Sequence, residues 1–359
     1  MRKYIVNARQ NYVAHAGSKA RADIEMIAAD MGLETIAFQG KSTAEGKIFT
    51  AVRLFADAVY NWKRLYSQTE RGSAILLQYP HFPMKTSLIA RFWIRRAQRK
   101  KGIRFIALIH DLQSISKVAG QAAVVSDRML LPCFDICICH NEAMKKRLEA
   151  FGFSPDRLVV LGIFDYITAT SAPKKRDRRN TVIVAGHLIP EKAGYVYKLL
   201  NDPIPGIVFH LYGPGLEKEP STDSIVYYGV FTPEELPEQL RGSFGLVWDG
   251  EEINTCAGPK GEYLRLNNPH KVSLYLASGI PVIIWKEAAL APFVVHNGLG
   301  IAVSSLNELP EALAQIDESQ YEEMTKNAAR WGERIRKGYF FRNAYAQAIE
   351  LLSKETDSR

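Results

Sequence analysis

The sequence has no apolar run long enough to form a membrane-spanning helix. Its four cysteines, Cys133, Cys137, Cys139 and Cys256, show no metal-ligand spacing. Cys137 and Cys139 alternate with isoleucines in an apolar segment, which indicates reduced thiols buried in a strand. The apolar part of residues 1–7 is too short for a signal peptide and predicts a first strand. We therefore expect a cytoplasmic protein.

Three common fingerprints of nucleotide-binding or hydrolytic sites are also missing. No G-x-G-x-x-G sequence follows a strand-like run and no G-x-x-x-x-G-K-[ST] sequence occurs, so neither a dehydrogenase-type site nor a P-loop is indicated. No G-x-S-x-G elbow is present, which argues against the commonest hydrolase arrangement. The chemistry of this protein has to be sought at other polar positions.

The charge is unevenly distributed along the 359 residues. Residues 1–165 contain 25 Lys or Arg against 14 Asp or Glu, whereas the rest of the chain is slightly acidic. This asymmetry favours an anionic partner for the first half, which would be a nucleic acid, an anionic lipid surface or an anionic acceptor. The alternative is a solvated basic surface without a partner. The length and the 47% apolar content fit a globular protein of two domains.

Strand-like and helical runs alternate along the whole chain, which predicts an α/β protein. A polar, basic segment at residues 171–180 separates two such series and is typical of a linker. We expect two domains with parallel sheets, whose ligands bind beyond the carboxyl ends of the strands. The polar residues at predicted strand ends are therefore candidate site residues: His15, Gly17 and Ser18 in a loop after the first strand, and His110, Asp111, His140, Asn141, Gly186, His187, Tyr212, Gly213 and Asp249.

Residues 267–285 are the most informative segment. A polar start precedes a short predicted helix at residues 271–277, a glycine stop at Gly279 and a β-rich run. The free N–H groups and the dipole of such a helix N-terminus attract anions. Lys271 adds a positive charge and Asn268 and Ser273 add hydrogen bonds, so the segment predicts a diphosphate site. The alternative is an ordinary helix–strand unit with Asn268 as N-cap and Lys271 in solvent.

Residues 85–101 predict a strongly basic helix that also carries Phe92 and Trp93. One interpretation is a helix that lies on an anionic membrane surface. The alternative is a core-packed helix with a solvated basic face. The cationic residues are Arg91, Arg95, Arg96, Arg99, Lys100 and Lys101.

Five segments resemble bacterial GT-B glycosyltransferases of polysaccharide and glycoprotein assembly: residues 109–111, 242–248, 267–285, 297–300 and 335–342. One branch of these enzymes contains adhesin-type glucosyltransferases and another contains β-1,6-galactofuranosyltransferases. Residues 267–271 (NNPHK) are more similar to the second branch. The resemblance implies two Rossmann-like domains facing across a cleft. Residues 1–170 would form the acceptor-side domain, residues 180–337 the nucleotide-sugar domain, and residues 338–359 a helix that crosses back to the first domain.

The resemblance further implies a UDP-sugar donor held by the second domain. Lys271 would meet the diphosphate, with Asn268 and Ser273 near it. Such enzymes need no cofactor and usually no metal, because lysine and the helix dipole offset the charge of the leaving group. The absence of a D-x-D sequence agrees. The other implied donor-site residues are Lys192 as a second phosphate cation, Tyr212 and Gly213 by the uridine, Gly17 and Ser18 approaching from the first domain, and the strand-end residues Gly186 and Asp249.

The resemblance leaves the acceptor side open. An inverting transfer needs a carboxylate or histidine that takes the acceptor proton, and Asp111, His110 and His15 are the candidates; a retaining transfer needs no such base. The implied acceptor is a glycan. If a lipid carries it, the basic helix at residues 85–101 gains a role in holding the enzyme peripherally at the inner membrane face. Family members form dimers or tetramers, which implies a homo-oligomer.

Two other functions are compatible with parts of the sequence. A UDP-sugar epimerase on the same fold would need acid–base pairs around the sugar and no acceptor. A nucleic-acid-binding protein is suggested by the charge alone and would show strongly salt-dependent binding, although no RNA or DNA motif supports it. The basic first half favours a transferase. We therefore expect a hexosyltransferase that moves galactofuranose or glucose from a UDP-sugar to a glycan.

Overall fold

A computed structural model of the chain describes residues 1–8, 16–39, 47–80, 86–112, 127–169, 180–218, 220, 222–256, 258 and 261–357. The chain forms two compact units, each with one six-stranded sheet. The first unit comprises Met1–Val13, Ile24–Leu161 and Phe341–Arg359, and the second comprises Ala14–Asp23 and Gly162–Phe340. His15 and residues 171–179 of the predicted linker lie outside the described residues.

The strands of the first unit are all parallel, in the order β2-β1-β3-β4-β5-β6. Apolar runs that alternate with helices produce this arrangement, because each helix returns the chain to the start of a parallel neighbour. The strands are β1 (Lys3–Ala8), β2 (Glu34–Phe38), β3 (Ala74–Tyr79), β4 (Arg104–Ile109), β5 (Ile136–Cys139) and β6 (Leu158–Val160). The helices in this part of the chain are α1 (Ala16–Asp30), α2 (Lys47–Gln68), α3 (Ser87–Lys101) and α4 (Glu142–Ala150), with 3-10 turns at Leu131–Cys133 and Pro155–Arg157.

The core of the first unit lies between the sheet and helices α2, α3 and α4. Trp62 of α2 and Ile94 of α3 are buried in one cluster with Leu77 and Phe105 of the strands. Full burial of an aliphatic or aromatic side chain of this size stabilises the fold by about 1.5–3 kcal/mol. The strands are consequently mostly apolar, and their polar residues, such as Asn7 in β1 and Gln78 in β3, lie near their ends.

The second unit repeats the architecture, with parallel strands in the order β12-β11-β10-β7-β8-β9. The strands are β7 (Thr181–Ala185), β8 (Val208–Tyr212), β9 (Ile225–Tyr227), β10 (Phe244–Val247), β11 (Val282–Trp285) and β12 (Gly300–Val303). The helices are α5 (Pro190–Asn201), α6 (Leu236–Gln239), α7 (His270–Ala277), α8 (Ala291–His296), α9 (Leu309–Ala314) and α10 (Glu318–Arg336), with 3-10 turns at Gly261–Arg265 and Leu306–Glu308.

The predicted glycine stop of helix α7 is confirmed. Gly279 has φ 66°, a left-handed conformation. Its N–H donates to Leu276 O (2.9 Å) and the N–H of Ile280 donates to Tyr275 O (2.9 Å). This pair of hydrogen bonds is a Schellman motif, which satisfies the last carbonyls of the helix. The chain therefore turns directly from α7 into β11.

The final helix is α11 (Tyr339–Asp357), and its residues from Phe341 onward belong to the first unit. Its buried side chains recur every three or four positions, as expected for one face of a helix. Arg342 of this helix pairs with Asp30 at the end of α1. The buried residues are Phe340, Phe341, Ala344, Tyr345, Ala348 and Leu352. Across the parts of the chain described here, no helix combines the length and the apolar character of a membrane crossing.

Two features differ from the sequence-based expectation. Gly17 and Ser18, expected in a loop, form the first turn of α1, because the run of Ala, Lys and Arg that follows favours helix and extends it upstream. The units divide at Gly162 rather than near residue 170, and residues 14–23 belong to the second unit.

Candidate functional site

The carboxyl ends of β10, β7 and β8 lie side by side at one edge of the second sheet. The connection from β7 leads to its neighbour β8, whereas β10 lies on the opposite side of β7. The strand order therefore reverses between β7 and β10, and ligands of open parallel sheets bind at such a switch point.

Two glycines allow the strand ends to converge there. Gly213, just after β8, has φ 128°, and a Cβ atom on it would lie 2.0 Å from the carbonyl oxygen of Gly186. Gly186, just after β7, has φ 139°, and its Cβ would lie 3.3 Å from Cε of Lys271. No larger residue fits the first position without moving the backbone. The structure thus brings three predicted donor-site residues, Gly186, Gly213 and Lys271, into one place.

Lys271 reaches this edge from the second position of helix α7. Its Nζ donates to Oδ1 of Asp249 (2.8 Å) and to the carbonyl oxygen of Trp248 (3.0 Å), both just after β10. The side chains of Lys271 and Asp249 are only 15% and 14% exposed. The alternative with Lys271 in solvent is therefore wrong. Asn268 is not the N-cap either: Pro269 takes that position and has no side-chain cap, which leaves the helix N-terminus without a capping acceptor.

Tyr275 lies one helical turn after Lys271, and its hydroxyl is hydrogen-bonded to the backbone of β7. Sequence reasoning missed this residue. Its hydroxyl accepts a hydrogen bond from the N–H of Ala185 (3.0 Å) and lies 3.2 Å from Ile183 O. Gly245 makes room for the ring, because a Cβ atom there would lie 2.2 Å from Cγ of Tyr275. Burial raises the pKa of the Tyr275 hydroxyl well above its ordinary value, so it stays protonated. The signal was its spacing of four residues from Lys271 on the same helix.

Asn268 and Ser273 hold helix α7 in position. Asn268 Nδ2 donates to the carbonyl oxygen of Gly162 (3.0 Å), and Ser273 Oγ donates to that of Phe164 (2.7 Å). Both residues are buried. These hydrogen bonds attach the N-terminal half of α7 to residues 162–164. The roles of Asn268 and Ser273 as diphosphate ligands stay predictions.

Tyr212, at the end of β8, is fully buried and stacks on Tyr228 with ring centroids 5.0 Å apart and an interplanar angle of 6°. Its hydroxyl donates to Gln239 O (3.1 Å) and accepts from Arg241 N (2.9 Å). Tyr228 is half-buried and carries the Arg241 guanidinium 5.6 Å from its ring centroid. The stack places a flat aromatic surface beside Gly213, at the position where the sequence predicts the uridine.

Lys192 lies in the first turn of α5, beside the loop that follows β10. Its carbonyl oxygen accepts a hydrogen bond from the N–H of Gly250 (2.9 Å). Ala193 next to it has non-helical φ and ψ (−127° and 38°), which kinks the start of the helix. The kink allows the start of α5 to contact the segment that follows Asp249. The role of Lys192 as a second phosphate cation stays a prediction.

The first turns of α1 contribute a buried ion pair to the second unit. Lys19 pairs with Asp23 and donates to Ile167 O (2.7 Å), and its Nζ lies 5.0 Å from the ring centroid of Tyr166. Burial raises the pKa of Asp23 to about 6, against the hydrogen bond and the charge of Lys19, which lower it. Sequence reasoning singled out the neighbouring Gly17 and Ser18 but missed Lys19, because Tyr166 and Ile167, which it contacts, are distant from it in sequence.

His270, the first residue of α7, lies close to this pair. Its ring contacts Tyr166 and Phe164, with centroids 5.4 and 5.8 Å apart. The residue is half-buried as a whole, but both ring nitrogens are shut off from solvent. Burial is the main cause that lowers the pKa of His270 to about 3, and the charge of Lys19 lowers it further. His270 is therefore neutral at the helix N-terminus near pH 7.

The first unit has a second set of polar residues at the carboxyl edge of its own sheet. His110, just after β4, is largely buried, and its Nε2 lies 2.7 Å from Oε1 of Gln78 in β3. Gln78 Nε2 donates to Glu25 of α1 (3.4 Å), and Asn7 at the end of β1 donates to the same carboxylate (2.6 Å). Because the Gln78 amide oxygen can only accept, His110 Nε2 carries the proton in this arrangement.

Asp111 and His140, two other candidate residues at predicted strand ends, differ from His110 in setting. Asp111 follows it and is exposed. His140, at the end of β5, is buried with Nε2 2.9 Å from Ile109 O. Burial lowers the pKa of His140 to about 4, although the hydrogen bonds that the ring makes to the backbone raise it, so the ring is neutral and structural. Gln78, Glu25 and Asn7 were missed, since no local motif marks them.

Two parallel α/β units, one with a glycine-lined strand edge, a helix N-terminus and a lysine at its switch point, define a glycosyltransferase of the GT-B type. Family models described as "Glucosyltransferase 3-like, N-terminal domain" and "Glucosyltransferase 3-like, C-terminal domain" match residues 2–163 and 182–348. The chain belongs to this glucosyltransferase 3-like family and is a glycosyltransferase. The expected family and enzyme class are confirmed.

Two relatives and two solved structures agree with this assignment. The chain is 34% identical over 252 residues to beta-1,6-galactofuranosyltransferase WbbI of Escherichia coli K12 (69% of this chain, 72% of the relative) and 34% identical over 256 residues to glucosyltransferase 3 of Streptococcus gordonii (70% and 72%). HepE from Anabaena in complex with UDP and glucose has a TM-score of 0.62 at 12% identity, covering 98% and 100% of the two chains. The lipopolysaccharide outer core galactosyltransferase WaaB has a TM-score of 0.60 at 14% identity, covering 98% and 99%. These two structures share the fold.

Proposed function

We propose that this enzyme transfers a hexose, galactofuranose or glucose, from a UDP-sugar to a glycan acceptor. The observation that carries the proposal is the position of Lys271, at the start of α7 and beside Gly186 at the switch point. An ammonium group and an uncapped helix N-terminus at one point of the sheet edge favour a diphosphate. The names of the two relatives supply the candidate sugars, and the solved relative with UDP and glucose supplies the nucleotide.

In the proposed reaction an acceptor hydroxyl oxygen forms a bond to the anomeric carbon while the bond from that carbon to the UDP oxygen breaks. UDP leaves with the electron pair, and Lys271 and the N–H groups of α7 offset the negative charge that develops on it. We therefore propose that the reaction needs no metal ion and no cofactor. Tyr228, which is half-buried and backed by the buried ring of Tyr212, would present an aromatic surface to the uracil, and Gly213 would let the nucleotide approach the backbone.

The acceptor proton is proposed to pass to His110. His110, one of the two described candidates, is held by a network of neighbouring side chains, through Gln78 to Glu25. With the proton on Nε2, the second ring nitrogen, Nδ1, is the basic one. This role belongs to a transfer with inversion, because a retaining transfer needs no such base.

We also propose a setting for the reaction. The glycan acceptor is carried on a lipid, and the enzyme works as a homo-oligomer in the cytoplasm, in peripheral contact with the inner face of the membrane. The motivation is the basic first half of the chain, which suits an anionic lipid surface. Light scattering of the purified enzyme tests the oligomer, and a monomer at all concentrations would refute it.

Calorimetric titration with UDP in the presence of EDTA tests the donor site. Wild type should bind UDP with micromolar affinity, and Lys271→Ala should lose tenfold or more, about 1.4 kcal/mol. Lys326→Ala is the matched control, because Lys326 is an exposed lysine of α10 far along the chain from the sheet edge. Its affinity should equal that of wild type.

Each outcome has a definite meaning. Loss of affinity in Lys271→Ala but not in Lys326→Ala supports the donor site, and screening of UDP-galactofuranose and UDP-glucose then identifies the sugar. Binding that disappears with EDTA refutes metal independence while leaving the nucleotide assignment intact. Absence of UDP binding in wild type refutes the proposed donor.

A further inference from the structure

Helices α2 and α3 present an exposed apolar surface that the donor site does not use. Surface helices of soluble proteins normally direct polar residues outward. Here six exposed positions of α2 and α3 carry large apolar side chains. We define the α2–α3 patch as Val52 (64% exposed), Phe55 (44%), Val59 (45%), Tyr60 (54%), Leu88 (68%) and Phe92 (59%).

The two helices pack together, so the patch is continuous. Tyr66 of α2 contacts Trp93 of α3 with ring centroids 5.6 Å apart, and Arg96 lies over the same tyrosine ring at 5.5 Å. Both helices follow strands of a parallel sheet and therefore run in the same direction. Leu88 lies five residues before Trp93 and Tyr60 lies six residues before Tyr66, so these exposed side chains of the two helices lie at about the same level along the helix axes.

The charge around the patch is almost entirely of one sign. Helices α2 and α3 together carry ten Lys or Arg residues, and Asp57 is their only acidic residue. Arg91, Arg96 and Arg99 are exposed on the same side of α3 as Phe92. Apolar side chains surrounded by cations are the pattern of a helix that lies in the interface of an anionic bilayer.

We propose that the α2–α3 patch docks the enzyme on an anionic lipid bilayer. A second copy of the chain is a poorer occupant, because an isologous contact would place these cationic helices against themselves. A nucleic acid would match the charge but would leave Val52, Leu88 and Phe92 without a partner. A bilayer surface satisfies both the cations and the apolar side chains.

The position of the patch fits a lipid-linked acceptor. This part of the inference rests on the proposed function. Each helix of a parallel sheet starts just beyond the carboxyl end of the preceding strand. The first turns of α2 and α3 therefore lie toward the same edge of the sheet as His110. Docking through the patch would bring the acceptor-side edge of the first unit to the headgroups, where a lipid-linked sugar is presented.

Co-sedimentation of the full chain with vesicles tests the inference. The vesicles are pure phosphatidylcholine in one series and phosphatidylcholine with phosphatidylglycerol in the other, each at low and high salt. Wild type should bind only the anionic vesicles, more weakly at high salt. A variant with Arg91→Glu, Arg96→Glu and Arg99→Glu should lose about a hundredfold in partition coefficient, since each cation near the surface contributes about tenfold or somewhat less. Leu88→Ser with Phe92→Ser should weaken binding about tenfold or more.

Matched controls come from exposed residues of the second unit. Val230→Ser with Val295→Ser removes two exposed apolar side chains, and Lys326→Glu with Lys337→Glu reverses two exposed charges. Both control variants should bind vesicles like wild type. All variants should bind UDP with the affinity of wild type, so that a loss of membrane binding is distinguished from a loss of donor binding. The inference is overturned if wild type ignores anionic vesicles, or if the patch variants bind as well as wild type. It is equally overturned if they change only the oligomeric state or only oligonucleotide binding.

Discussion

The Nζ atom of Lys271 lies 2.8 Å from Oδ1 of Asp249, so the cation proposed for the diphosphate already has an anionic partner. Both side chains are largely shielded from solvent. Asp249 holds the ammonium group at the end of β10, but it also opposes the approach of a second anion. A diphosphate that binds here must share Lys271 with Asp249 or displace it.

Replacement of Asp249 by Asn should therefore strengthen UDP binding. Removal of one negative charge beside the proposed diphosphate site predicts a gain of about threefold to tenfold in affinity, measured by calorimetry. Glu252→Gln is the control: Glu252 pairs with Lys198 and is half exposed, so its loss should leave the affinity unchanged. Weaker binding by Asp249→Asn would contradict this prediction and would indicate that Asp249 contacts the ligand directly.

Tyr275→Phe should destabilise the second unit by about 1–3 kcal/mol, because the buried N–H of Ala185 loses its hydrogen-bond acceptor. Thermal and denaturant unfolding measure the change. Tyr339→Phe serves as the comparison, since Tyr339 is exposed and should tolerate the loss of its hydroxyl. Equal stability of wild type and Tyr275→Phe would show that the hydroxyl is not needed between β7 and β10.

Gln78 is proposed as a positioning residue for His110, and the pH dependence of kcat/KM tests it. In Gln78→Glu a carboxylate would face Nε2 of His110 and raise the pKa of the ring. If His110 is the base and must be neutral, the acidic limb of the profile should move to higher pH. UDP affinity should not change, because Gln78 belongs to the first unit. An unchanged profile with reduced kcat would leave Gln78 with a purely structural role.

His270 should make the protein less stable as the pH falls below neutrality. The pKa of its ring is lowered by burial to about 3, against 6.5 for a free histidine. Between these values the unfolded chain binds a proton that the folded protein does not, so acid favours unfolding. At pH 5 the loss is about 2 kcal/mol, from 1.36 kcal/mol per pH unit.

Urea unfolding of wild type and His270→Gln at pH 7 and pH 5 measures this effect. The glutamine variant lacks the titrating ring, so its stability relative to wild type should rise by about 2 kcal/mol between pH 7 and pH 5. A difference between the two proteins that stays constant with pH would mean that His270 titrates normally in the folded state.

Much of the fold follows from local sequence pattern. Alternating apolar runs and helical runs predicted parallel α/β sheets, and the spacing around Gly279 predicted the stop of α7, because both depend on residues close in the chain. The predicted start of α1 was wrong. Gly17 and Ser18 are residue types typical of loops, but the helix-favouring run after them determines their conformation.

The sequence predicted which residues follow the strand ends at the site, but it did not predict which residues contact one another there. Polar residues after β7, β8 and β10 were identified because the carboxyl edge of a parallel sheet is where ligands bind. Tyr275 and Gly245 were missed, since a buried tyrosine and a strand glycine look like core residues until the ring is seen under the backbone of β10. Gln78 likewise belongs to an apolar strand, and only β3 pairing with β4 places it beside His110.

Local sequence patterns specify which segments become strands and helices, the positive charge of the first half and the presence of a lysine at a helix start. The contacts between these residues follow from the three-dimensional arrangement. Lys271 meets Asp249 because α7 begins beside the carboxyl end of β10, and Glu25 meets Gln78 across 53 positions of sequence because α1 packs near the ends of β1 and β3. Secondary structure depends on neighbours in the chain, whereas a site depends on strand order, and strand order is settled when the sheet buries its apolar faces.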